Sequence, residues 1–150
     1  MIFVEIDPES ESRLPPDLLE RAAAATLRRQ SAPDGDLTLV LTGDERLREL
    51  NRDFLGIDAT TDVLSFPADE TDPETGRRYL GDVVISSARA ESQALARGHA
   101  PEQELQLLVV HGVLHLLGHD HAGADEKARM WAAQAEILES VGISPSIVHE

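Results

Sequence analysis

The chain has 150 residues, with 13 basic and 28 acidic side chains for a net charge of −15, and no cysteine. A single domain over 1–150 is expected, since a chain this long buries about 68–70% of its unfolded surface without disulfide support. The missing cysteines exclude disulfides, thiolate metal sites and cysteine nucleophiles. The charge opposes non-specific binding to nucleic-acid phosphates and attracts cations.

In chain order, Ile2–Ile6 alternates apolar residues and reads as a strand. Pro15-Pro16-Asp17 opens a helix that runs to about Arg29, and Ala32-Pro33-Asp34-Gly35 is a turn. Leu37–Leu41 reads as a second strand. A second helix starts at Gly43-Asp44, with Leu47, Leu50 and Phe54 on one face. Thr61–Phe66 reads as a third strand closed by Pro67, residues 68–79 as a polar loop, and Gly81–Ser86 as a fourth strand. Helices are expected over 87–97, 102–117 and 123–140. Strands early and helices late argue for an α+β domain with a small sheet on one side.

The stretch Leu105–Leu117, LQLLVVHGVLHLL, is apolar nearly all round, the mark of a buried central helix. Its histidines and Gly112 break any membrane-spanning run. With an acidic N-terminus that lacks a basic leader region, the expectation is a cytoplasmic protein with no membrane partner. An interior glycine costs about 1 kcal/mol against alanine, so close approach of another segment is expected at Gly112.

His111 and His115 are four apart and leave one helix face. Gly118 ends the helix, and His121 folds back toward the pair. Three imidazoles with an open fourth position suit a catalytic zinc, one ion per chain, although nitrogen donors also accept nickel or another divalent metal. The spacing equals that of the metzincin proteases, but Gly112 stands where their general base, a glutamate, belongs, which disfavours a metalloprotease. Asp120 is a candidate to assist water or to hold a ligand imidazole. His119 reads as a rim residue, and His99 and His149 as solvated. Asp62 and Ser65 read as strand residues with the aspartate near a turn, Asp82 as ending a turn, Arg77-Arg78 as solvated loop arginines, and Met130 and Trp131 as core.

The string HGVLHLLGHDH at 111–121, with TDVLSFP at 61–67, LGDVVIS at 80–86 and the Met130…Glu136-Ile137-Leu138 tail, resembles the YbeY family of bacterial endoribonucleases. The resemblance implies a zincin-like fold, with a small mixed four-stranded sheet against about five helices and a buried metal-binding helix. It implies zinc on His111, His115 and His121, and metal-dependent cleavage of single-stranded RNA in ribosomal RNA maturation (small-subunit processing and ribosome quality control). Ribosomal proteins are expected as further partners. Leu55 takes the place of the family's arginine in LNRDFLGID. Arg52, three residues earlier on the expected helix, is therefore a candidate phosphate-binding cation. The general base is left unassigned. The rival reading is a ribosome-associated assembly factor with a structural zinc.

Overall fold

A computed structural model describes residues 1–10 and 16–148; Pro15 and His149 fall outside them. Strands β1 (Ile2–Ile6), β2 (Gly35–Thr42), β3 (Val63–Thr71) and β4 (Arg78–Ser86) alternate with helices α1 (Pro16–Arg29) and α2 (Asp44–Leu55). Three further helices follow: α3 (Ser87–Arg97), α4 (Pro101–Leu116) and α5 (Ala124–Ser140). The sheet order is β1-β2-β4-β3, with β1, β2 and β4 parallel and β3 antiparallel to β4. This is the expected small mixed four-stranded sheet against five helices. Among the described residues no helix is long and apolar enough to cross a membrane.

Period-two alternation along β2 divides the molecule into layers. Leu37, Leu39 and Leu41 join the main core with α1, α4 and α5, while Val40 on the other face joins Leu47, Leu64 and Val84 under α2. Leu47 is fully buried, but Phe54 is 66% exposed and only meets Phe66 edge-on, so the expected apolar face of α2 covers less of the sheet than its sequence implies.

Two loop expectations change. Pro67 does not close β3, which continues to Thr71 with an irregularity between Pro67 and Glu70. A proline has no N–H to give a ladder, yet β3 is an edge strand, where that loss is tolerated. The polar loop over 68–79 therefore shrinks to a hairpin, with Glu70 opposite Tyr79 and Thr71 opposite Arg78. Asp82 sits inside β4 and accepts from the Tyr79 hydroxyl, so it ends no turn.

Helix α4 is the axis of the fold. It contacts α1, α3, α5, β3 and β4. Val109, Val110, Val113 and Leu114 are wholly buried, each worth about 1.5–3 kcal/mol relative to exposure. Gly112 is where the sheet touches the helix. A Cβ built there would lie 2.5 Å from Val83 Cγ1 and 3.3 Å from Ser65 Oγ. The Ser65 hydroxyl donates to the Gly112 carbonyl at 2.8 Å. The glycine thus lets β3 and β4 press directly on the helix that carries the histidines.

Candidate metal centre

The α4 periodicity sends His111 and His115 out on one face. The helix stops at Leu116, and Gly118, with φ +97°, turns the chain back so that His121 meets the pair. One ligand atom from each of the three imidazoles lies within 4.8 Å of the others. His111 Nε2 and His115 Nε2 stand 3.2 Å apart. Two nitrogens on a tetrahedral ion with bonds of about 2.05 Å would stand about 3.3 Å apart, so the geometry fits a metal ion.

The chemistry of the donors fits as well. Gln134 on α5 is buried, and its Oε1 lies 3.0 Å from His111 Nδ1. An amide oxygen only accepts, so Nδ1 carries the hydrogen and Nε2 keeps its lone pair for a ligand. Burial, partly offset by the Gln134 hydrogen bond and by nearby Asp62, holds the His111 pKa below its ordinary value. His115 is lowered to about 4, first by burial and then by the charges of His111 and His121, with Asp120 opposing. Both rings are therefore neutral near pH 7, the form that binds metals. His121 is exposed and leaves one side of the cluster open.

Trp131, half-buried on α5, meets His111 and His121 edge-on, with centroids 5.9 and 5.8 Å away. Its neighbour Met130 is fully buried, as a core residue should be. Lys127, one helical turn before Trp131, stands 5.4 Å from the indole centroid. Behind His111 a cavity of about 100 Å³ opens between Asp62, Trp131 and Gln134. A groove of about 680 Å³ lies on the α2 side of the sheet, and its lining contains no triad histidine.

Other expected residues are placed as follows. Asp120 Oδ1 accepts from the His121 backbone N–H at 2.7 Å, so it braces the third histidine through the main chain, not through an imidazole. His119 is half-buried against Gln30 Oε1 at 2.7 Å. Arg52 is exposed and bonds Asp53 at 3.1 Å. Arg77 is not merely solvated, because it forks onto Asp36, with Nε at 3.0 Å from Oδ2. His99 is not solvated either. It is 7% exposed at the side chain and sits 2.7 Å from Oε1 of Glu104, a fully buried carboxylate that Arg97 also approaches at 3.3 Å. Glu104, in the first turn of α4, anchors the α3–α4 connection to the core.

Known proteins match this chain along nearly its full length. Residues 5–142 match the family described as Endoribonuclease YbeY. The Endoribonuclease YbeY of Chloroflexus aurantiacus is 44% identical over 95% of this chain and 98% of its own. That of Roseiflexus castenholzii is 41% identical over 96% and 94%. A Thermotoga maritima protein solved in solution superposes with a TM-score of 0.59 at 26% identity, over 94% of this chain and 91% of that one. With the fold, the histidine cluster and these relatives in agreement, the chain belongs to the YbeY endoribonuclease family.

Proposed function

We propose that this single-domain protein is a zinc-dependent endoribonuclease. Its substrate is single-stranded RNA, and its setting is the cytoplasmic maturation of ribosomal RNA, with ribosomal proteins as neighbours. The observation that carries the proposal is the convergence of His111, His115 and His121 on one point beside an open side, in a chain whose relatives are named endoribonucleases. A divalent ion held by the three imidazoles supplies a Lewis acid for a phosphoryl oxygen and acidifies water. The chain's own residues do the rest. Gln134 fixes the His111 tautomer, Asp120 holds the backbone of His121, and Trp131 packs edge-on against His111 and His121.

Gly112 is packed against Val83 and Ser65. No glutamate fits there, so the peptidase reading lacks its general base. The assembly-factor reading differs from ours in one outcome. His115→Ala removes one ligand from the cluster and, on our reading, abolishes RNA cleavage. Elemental analysis of the folded wild type should find about one zinc per chain. A folded, metal-free wild type, or a His115→Ala variant that still cuts at the wild-type rate, overturns the proposal.

A further inference from the structure

The chain sets 28 acidic residues against 13 basic ones, and most of its arginines are neutralised inside the molecule. Among the described residues seven are ion-paired, from Arg29 with Glu136 to Arg97 with Glu104, and Arg78 is engaged as well. Arg21, Arg28 and Arg129 make no ion pair or side-chain hydrogen bond among those residues. In a chain of net charge −15, guanidinium groups left without a carboxylate mark where a polyanion meets least repulsion.

Two of these three share one site. Arg21 and Arg28 are seven residues apart on α1, on one face and about 10.5 Å apart along the axis, so each is placed for its own phosphate. They line a groove of about 530 Å³ with Leu18, with Gln106 of α4 and with Ser140 at the end of α5. Its lining contains no carboxylate. The α2-side groove, by contrast, contains Glu5, Asp7 and Asp82, and the cavity behind His111 contains Asp62 and Glu104. A guanidinium grips a phosphate with two parallel N–H donors. Charge therefore selects a phosphate-bearing partner for this groove and not for the other two.

The groove also has a route to the histidine cluster. Arg129 lines a second groove, of about 500 Å³, with Gly118, His119 and Asp120 of the loop that leads into His121. His119 Nε2 donates to Gln30 Oε1 at 2.7 Å, and Gln30 stands two residues beyond Arg28. The end of α1 that carries Arg28 is thus tied to the loop that carries the third histidine. We propose that the groove of Arg21 and Arg28 is an RNA-binding exosite, which takes phosphates of the substrate strand outside the segment at the histidine cluster. The strand reaches it past Arg129 and the His119–Gln30 contact. The proposal rests on the endoribonuclease reading above, which supplies the polyanion.

The test uses the zinc-loaded protein and a labelled single strand of 2′-O-methyl RNA, twenty nucleotides long, with affinity read by fluorescence anisotropy across a salt series. Both arginines are exposed, so substitution there leaves the core untouched. Arg21→Gln/Arg28→Gln removes the two charges, and Arg21→Lys/Arg28→Lys keeps them. The neutral double variant should bind about tenfold more weakly at low salt, the order of two exposed charge contacts. The slope of log affinity against log salt should fall by about 1.4, the value for two phosphates of a single strand. The lysine variant should recover the slope. A neutral variant that matches the wild type in affinity and slope overturns the exosite, and so does one that loses affinity with an unchanged slope. Labelled oligoglutamate that binds the wild type more tightly than the RNA does, and is lost in the neutral variant, assigns the groove to an acidic protein segment and overturns it too. In each of these cases wild-type cleavage of unmodified RNA keeps the enzyme reading intact. A wild type that neither binds the labelled strand nor cuts the unmodified one overturns the enzyme reading and the exosite with it.

Discussion

His111 Nδ1 donates to Gln134 Oε1 across 3.0 Å, and that contact decides which nitrogen of the imidazole faces the other two histidines. Such outer partners are worth roughly 10–100-fold in metal affinity. Gln134→Leu, close in size and without an acceptor, should weaken zinc binding by that order. Gln134→Glu, which keeps an acceptor, should retain it. Titration against a competing chelator checks both. Trp131 is the only tryptophan and touches two of the histidines, so its fluorescence reports the same event. Equal affinity in Gln134→Leu and wild type would remove the tautomer argument.

Gly112→Ala sets two effects against each other. Alanine gains about 1 kcal/mol of helix propensity. Its Cβ meets the buried Val83 at 2.5 Å, and overpacking of that kind costs about 1–3 kcal/mol. Branched Val83 has no flexible end to swing away, so overpacking should win. The metal-free variant should melt below wild type and bind zinc more weakly, because a displaced helix carries His111 and His115 with it. Thermal melts with and without zinc check both effects. A variant that melts higher and keeps its zinc affinity contradicts the close-approach account.

Asp36 gives a pH dependence with a defined sign. The Arg77 hydrogen bond lowers its carboxyl to about 2, with burial opposing and the amino terminus adding to the effect. The unfolded value is about 3.9. Between these values the unfolded chain binds more protons, so stability rises with pH across that window. The contribution is complete above about pH 4 and is lost as pH falls toward 2. Because Arg77 is well exposed, the pair is worth at most about 1 kcal/mol. Asp36→Asn should therefore melt slightly earlier than wild type at pH 7, and the two should converge near pH 2. A gap that stays constant from pH 7 to pH 2 would show that the pair contributes nothing electrostatic.

Asp120 and Arg52 separate in one set of assays. Asp120→Asn keeps an oxygen for the His121 backbone N–H and removes the charge. Cleavage should fall several-fold in Asp120→Asn with zinc content intact, whereas Asp120→Ala should lose both. Arg52→Ala should lower cleavage, as removal of a phosphate-binding cation would. An unchanged rate assigns Arg52 to its ion pair with Asp53.

Local signals carried most of the architecture. Alternation placed β1 and β2, helical periodicity placed α1 and α2, and the apolar run placed α4 at the centre. The histidine cluster was legible because i,i+4 spacing and a glycine turn act over eleven residues. The misses came from partners outside the residue's own helix or strand. Pro67 reads as a strand end until β3 is known to be an edge. Gln134 bonds a histidine 23 residues away. Its signal was present, since it is a polar residue on the α5 face that buries Met130, Ile137 and Leu138. Glu104 gave a similar sign, being in helical phase with Leu108 and His111. His99 alone had none, because its partner lies across the α3–α4 turn.

The most direct test of the central claim is cleavage of one single-stranded RNA by chelator-stripped protein, before and after one equivalent of zinc. The account predicts no cleavage by the folded, stripped protein and recovery on zinc addition, with no cleavage by His115→Ala before or after zinc. Cleavage by the stripped protein at the rate of the zinc-loaded one would contradict it.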